Sequence, residues 1–177
     1  MTDLEKAAAA VSAGDPSAFT TLVAATHERL VRLSARILGS VSEGEDVVQD
    51  AYVKAYRSLV AGRFDGRATV MTWLHRIVLN ATLDARRARE REPSALSEAA
   101  PEPAWDGAAS GEARVALREL AAWLGALTEE QHLVLLLKAV EEFSSAEIAD
   151  ILGCSEGAVE QRLVRARAAL RAMGADP

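Results

Sequence analysis

Glu160, Gln161, Arg162, Arg165 and Arg167 stand together near the C-terminal end, in EGAVEQRLVRARAALR. Their side chains can make the hydrogen bonds that nucleic acid offers. Arginine donates to phosphate or to a guanine edge, glutamine pairs with an adenine edge, and a carboxylate accepts from cytosine. Between residues 161 and 171, Arg162, Arg165, Arg167 and Arg171 are not accompanied by any acid. A second concentration of polar chemistry is Asp46, Gln49 and Asp50, within SVSEGEDVVQDAYVKAY at 40–56. A third is TVMTWLHRIVLNATLDARRARER at 69–91, where Trp73 accompanies Thr72, Arg76, Asn80, Asp84 and Arg87.

The elements that position these groups read as helices. Val159, Leu163, Ala166 and Leu170 recur at helical spacing and are expected to pack inward. Glu160, Gln161, Val164, Arg165 and Arg171 face the other way, with Arg162 and Arg167 on the flanks. Upstream, Ile148, Ala149 and Leu152 share a face of a shorter helix. Gly153 supplies a tight turn, and Ser155 can cap the helix that follows. Two helices joined this way form a helix-turn-helix, whose second helix can enter a DNA major groove. Cys154, in the turn, is the only cysteine. An internal disulfide is excluded, and a small, partly buried side chain is the simpler role for it.

In the 40–56 stretch, Asp46 and Asp50 share a helix face. Acids in a first helical turn offset the helix dipole, but Asp50 lies deeper and points to a partner-binding face. In the 69–91 stretch, Val70, Leu74, Ile77, Val78 and Ala81 form an inward stripe. Thr72, Arg76, Asn80, Asp84 and Arg87 form an outward one. An aromatic beside an amide and arginines suits stacking and backbone contact with single-stranded bases. Trp73 taken alone reads more simply as a core residue.

Capping signals mark the helix starts. Asp15-Pro16 gives an N-cap followed by proline, and Ser42-x-x-Glu45, Thr128-x-x-Gln131 and Ser144-x-x-Glu147 fit capping boxes. The predicted helices run at about 4–13, 16–38, 43–60, 69–90, 113–126, 129–141, 145–152 and 156–172. Strand-like alternation is nearly absent, so the fold class is all-α. Residues 93–112, rich in proline and small residues, with acids and no base, read as a linker between a domain at 1–92 and one at 113–177. That linker spans at most about 70 Å when fully extended.

The chain of 177 residues is half apolar, poor in aromatics, and carries a formal net charge of −6. The 1–92 segment is nearly neutral, while the linker and the C-terminal segment carry the negative excess. Phosphate neutralisation supplies most non-specific DNA affinity, so this chain obtains little of it alone. A DNA reader of this charge is expected to work on a platform supplied by a partner. No apolar run is long enough for a transmembrane helix, and the N-terminus lacks a signal-peptide pattern. Direct membrane insertion is not expected, and the single cysteine fits a cytoplasmic location. No metal-ligand spacing, phosphate loop or nucleophile motif appears, so neither an enzyme nor a bound cofactor is expected.

With these segments read, the chain resembles the extracytoplasmic-function (ECF) subfamily of bacterial sigma-70 factors. EDVVQDAYVKAY looks like region 2.2, FDGRATVMTWLHRIVLNATLDARRARER like regions 2.3 and 2.4, and LTEEQHLVLLLKAVEEFSSAEIADILGCSEGAVEQRLVRARAALR like region 4. Their order, separated by an acidic linker and with no further domain, is highly specific.

The resemblance implies a transcription initiation factor that binds core RNA polymerase through its β′ clamp helices and β flap, and promoter DNA. An anti-sigma factor and a stress-response role are also implied. It assigns Asp46, Val47, Gln49, Asp50 and Tyr56 to polymerase binding, Tyr56 standing where the family often has tryptophan. It assigns Arg63, Phe64, Thr72, Trp73, Arg76, Asn80, Asp84 and Arg87 to the −10 element, with the loop around 62–69 where the family receives a flipped base. It assigns Ser155, Glu160, Gln161, Arg162, Arg165 and Arg167 to the −35 element.

Ala158, Glu160 and Gln161 replace the threonine, base and serine common in the family. The −35 preference is therefore expected to differ from the family's usual one, most of all at Glu160. Two rival readings are a stand-alone helix-turn-helix regulator and a sigma mimic that sequesters an anti-sigma factor. The first predicts DNA binding without polymerase, and the second no promoter-dependent transcripts.

Overall fold

The computed structural model describes residues 1–91 and 122–174, and in these every regular element is helical. The chain divides into two compact units. The linker expected at 93–112 and most of the helix expected at 113–126 lie outside the described residues; within that helix, 122–125 are helical.

The N-terminal unit contains α1 (Asp3–Ser12), a 3₁₀ turn at Pro16–Ala18, α2 (Phe19–Leu38), α3 (Val41–Val60) and α4 (Val70–Arg91). Thr2 and Glu5 close a capping box on α1. Asp15 accepts from the Ser17 amide at 3.0 Å, and Pro16 follows as expected. The single helix expected over 16–38 is instead a 3₁₀ turn running into α2. The cap of α3 also differs from expectation. Ser40, not Ser42, accepts from the Glu43 amide, so the helix starts one half-turn earlier. The Glu43 carboxylate pairs instead with Arg89 of α4, at 3.2 Å.

These helices pack around two apolar clusters. One joins Ala7, Ala8 and Val11 of α1 to Leu22, Ala55, Leu59, Val70 and Leu74. The other joins Leu30 of α2 to Val48, Ala51 and Tyr52 of α3 and Val78 of α4. Helices α2 and α3 come very close at Gly44, where a Cβ would lie 2.9 Å from the Ala35 backbone nitrogen.

Buried hydroxyls tie the same helices in register. Thr26 donates to the Leu22 carbonyl at 2.7 Å, which uses its only proton. The 2.7 Å bond between Thr26 and Tyr52 must then be donated by Tyr52. By the same logic Thr82, which donates to the Val78 carbonyl, receives its bond from Ser34 at 2.9 Å. Burial pushes the Tyr52 phenol above its ordinary pKa, and the Thr26 bond opposes this only in part. Arg89, near the end of α4, donates to the Leu38 carbonyl of α2 at 2.9 Å.

The C-terminal unit contains α5 (Glu129–Ala139), α6 (Ser145–Leu152) and α7 (Glu156–Ala172). Thr128 with Gln131, and Ser144 with Glu147, form the expected capping boxes. Gly153 ends α6 with φ 66°, the left-handed conformation the tight turn requires. Ser155 caps α7 by accepting from the Ala158 amide. The core holds Leu133, Val134 and Leu137 of α5, Ile148 and Ile151 of α6, and Val159, Leu163 and Ala166 of α7. Leu152 and Leu170, expected inside, are half-buried.

Candidate nucleic-acid and partner surfaces

On α3 the burial pattern separates two faces. Val48, Ala51, Tyr52, Ala55 and Leu59 are buried. Asp46, Gln49 and Asp50 are exposed on the other side, together with Val53. Val47 is half-buried at the edge of this face. Tyr56 is also half-buried, held by an edge-on contact with Phe19 at 5.3 Å between ring centroids. The face is thus acidic and amide-bearing with an apolar margin, complementary to a basic helix that carries some apolar surface.

On α4, Val70, Leu74 and Val78 are buried as expected, and Ile77 and Ala81 are half-buried. Arg76, Asn80, Asp84 and Arg87 form an exposed row, with Arg87 contacting Asp84 at 3.5 Å. The outward stripe must be corrected at Thr72. It is 2% exposed, its amide and hydroxyl are both bonded to the Thr69 hydroxyl, and it serves the helix start rather than the surface. His75 is buried too, bonding the Met71 carbonyl through Nδ1 at 2.8 Å.

The segment before α4 carries Arg63 and Phe64. Arg63 is exposed, and Phe64 is half-buried against Trp73, with ring centroids 5.0 Å apart. Both rings also pack on the core cluster of α1 and α3, and each keeps part of its surface open. Asp65 accepts from the Arg67 amide at 3.1 Å and pairs with its guanidinium at 3.2 Å, closing a local turn. Gly62 and Gly66, at φ 63° and 70°, permit the two reversals.

On α7, Glu160, Gln161, Arg165 and Arg167 are exposed, as is Val164. Two members of the expected reading set have partners within the unit. Arg162 turns back toward α5, bonding Glu130 at 3.0 Å and the Cys154 sulfur at 3.2 Å. Burial alone would lower its pKa, but Glu130 and Cys154 outweigh that and raise it. Arg162 therefore braces the turn instead of facing outward. Glu160 accepts a hydrogen bond from the Ser145 hydroxyl at the first position of α6. Its carboxylate is directed to the supporting helix, which a motif comparison at that position alone could not reveal. An open cleft of about 410 Å³ lies beside α7, lined by Glu129 and Glu130 as well as Arg162 and Arg165, so acids and bases offset one another there.

Among the described residues no cluster of His, Cys, Asp or Glu could hold a metal, and no helix is long and apolar enough to cross a membrane.

A helix-turn-helix with an arginine-flanked second helix, in a chain with a separate bundle bearing an acidic face and an aromatic-basic face, defines a transcription factor with more than one macromolecular surface. The comparisons with known proteins make the class definite. The profile described as Sigma-70 region 2 matches residues 22–92, and that described as Sigma-70, region 4 matches residues 117–170. The chain is similar to the ECF RNA polymerase sigma factor SigM of Mycobacterium tuberculosis, 39% identical over 163 residues, covering 92% of this chain and 80% of the relative. It is 32% identical to SigW of Bacillus subtilis, with 91% of each chain covered. Among solved structures, CnrH in complex with the cytosolic domain of CnrY superposes with a TM-score of 0.71 at 32% identity, covering 99% of this chain and 100% of that one.

The chain belongs to the sigma-70 family, in its ECF subfamily. It directs RNA polymerase to promoters and is not itself an enzyme.

Proposed function

We propose that the three exposed faces divide the work of promoter recognition. Asp46, Gln49 and Asp50, with the flanking Val47 and the open part of Tyr56, dock on the β′ clamp helices of core polymerase. Arg76, Asn80, Asp84 and Arg87, with Arg63 and the Phe64–Trp73 pair, take the unstacked −10 strand. Stacking on an aromatic platform favours the open state of the DNA over the closed one. Gln161, Arg165 and Arg167 meet the −35 duplex, beside the Ser155-capped start of α7, which favours a phosphate. Arg162 and Glu160 hold this helix in place.

In the domain organisation proposed here, residues 1–92 carry the first two faces, 113–177 the third, and 93–112 bridge them. The place of action is the cytoplasm, where core polymerase is found. A negative regulator is a further proposed partner. CnrH, about a third identical to this chain, was solved with the cytosolic domain of CnrY.

The observation that carries this reading is the separation on α3 of a buried apolar face from the exposed Asp46, Gln49 and Asp50. Run-off transcription with purified core polymerase on a promoter library tests it. Promoter-specific transcripts are expected, and they should be lost in Asp50→Arg together with polymerase affinity. Unchanged polymerase affinity in that variant would count against docking through this face.

A further inference from the structure

On α7, the ridge directly opposite the buried Val159, Leu163 and Ala166 consists of Gly157, Gln161, Val164 and Ala168, all exposed. None of these carries a charge. Apart from Met1, Val164 is the most exposed large apolar side chain among the described residues, at 62%. Arg165 borders the ridge on one side and Arg171 on the other, with Arg167 beyond it. A single exposed valine is ordinary on most surfaces. Here it stands at the centre of a helix face whose cations lie at its edges and whose other members are small.

That arrangement matches the cross-section of a B-DNA major groove. Phosphates line the two walls and meet the flanking arginines, while the floor presents base edges and thymine methyl groups. Gly157 and Ala168 let the helix approach closely; a Cβ added at Gly157 would meet no atom within 4 Å. Glu160, the acid beside this ridge, is exposed, but its bond from Ser145 turns the carboxylate toward α6 and away from the ridge.

We propose that Val164 is a specificity-determining residue that reads a thymine methyl group in the −35 duplex, next to the base pair whose edge Gln161 contacts. The inference rests on α7 being the −35 reader. It adds that part of the sequence preference is hydrophobic and independent of any hydrogen bond.

The test uses holoenzyme assembled from core polymerase and the full chain. A promoter is first selected from a library randomised at the −35 element. Each thymine of the selected element is then replaced by deoxyuridine, which removes the methyl and keeps every hydrogen-bonding group. At one position the wild-type protein should lose about fourfold in affinity, the worth of one buried methyl. Val164→Ala should bind the thymine and deoxyuridine promoters equally, while remaining sensitive to base-pair changes elsewhere in the element. Methyl-insensitive binding by the wild type, with −35 dependence intact, would overturn the role of Val164 and leave α7 as the reader. An equal methyl effect in wild type and Val164→Ala would do the same. Selection of no −35 preference at all would overturn both this inference and the reading beneath it.

Discussion

Gly44→Ala places two opposing effects on one methyl group. In an open helix the change from glycine to alanine gains about 1 kcal/mol, because the unfolded chain loses freedom and the helix gains a better former. At Gly44 the new Cβ would sit 2.9 Å from the backbone nitrogen and 3.2 Å from the Cα of Ala35. Backbone cannot rotate aside as a side chain can, so α2 and α3 must separate. Overpacking of this kind costs about 1–3 kcal/mol. The net expectation is a loss of up to about 2 kcal/mol. Gly157→Ala is the internal control, since nothing lies within 4 Å of its added Cβ; it should gain up to about 1 kcal/mol. Because the chain has two units, a single melting temperature would mix them. Native-state hydrogen exchange reads each unit separately. In Gly44→Ala the most protected amides of α2 and α3 should exchange faster, by up to about thirtyfold. Those of the C-terminal unit should be unchanged. Slower exchange in α2 and α3 would show slack at the crossing and refute the packing argument.

Thr26→Val should destabilise the N-terminal unit more than Tyr52→Phe, by about 1–3 against about 1 kcal/mol, because only the former strands a buried donor; denaturant titration followed by exchange ranks them. Tyr52 should ionise above the ordinary tyrosine range, read by ultraviolet absorbance in Tyr56→Phe; its raised pKa stabilises the fold below the unfolded value and the contribution disappears as pH rises through the folded value. The Ser144 side-chain and backbone hydrogen bonds hold the Glu147 carboxyl below its usual range. Its stabilisation is therefore present above the unfolded value and lost as pH falls through the folded one; Glu147→Gln should flatten the acid dependence of amide protection in the C-terminal unit. The free protein should bind promoter duplex weakly and gain specific binding with core polymerase, measured by fluorescence anisotropy at physiological salt; tight, specific binding by the free chain would contradict the charge argument.

The all-helical architecture, the Thr128 and Ser144 boxes, the Gly153 turn and the inward stripe of α7 were legible because each is a local pattern. Periodicity and capping chemistry are written within one turn of the chain. What escaped local reading depends on distant partners. Thr72 sits on the polar side of its stripe by spacing, yet the packing around the start of α4 leaves it 2% exposed. Ser42 fits a capping box as well as Ser40 does, but Glu43 has Arg89 as a partner from α4, and the start of α3 follows Ser40. Spacing puts Arg162 on a flank and Glu160 on the outward side, where it is exposed, but the positions of Glu130 and Ser145 decide where their side chains turn. Nothing in the spacing of Thr26, Ser34, Tyr52 and Thr82 announces that they pair across helices.

Those paired hydroxyls have a mechanical consequence. Helix α2 is joined to α3 through Thr26 and Tyr52, and to α4 through Ser34 and Thr82 and again through Leu38 and Arg89. It acts as a strut between the helix that carries the acidic face and the helix that carries the aromatic-basic face. A strut fastened at several points resists sliding and rotation alike. These ties favour movement of α3 and α4 together over the sliding of one past the other when a partner loads α3.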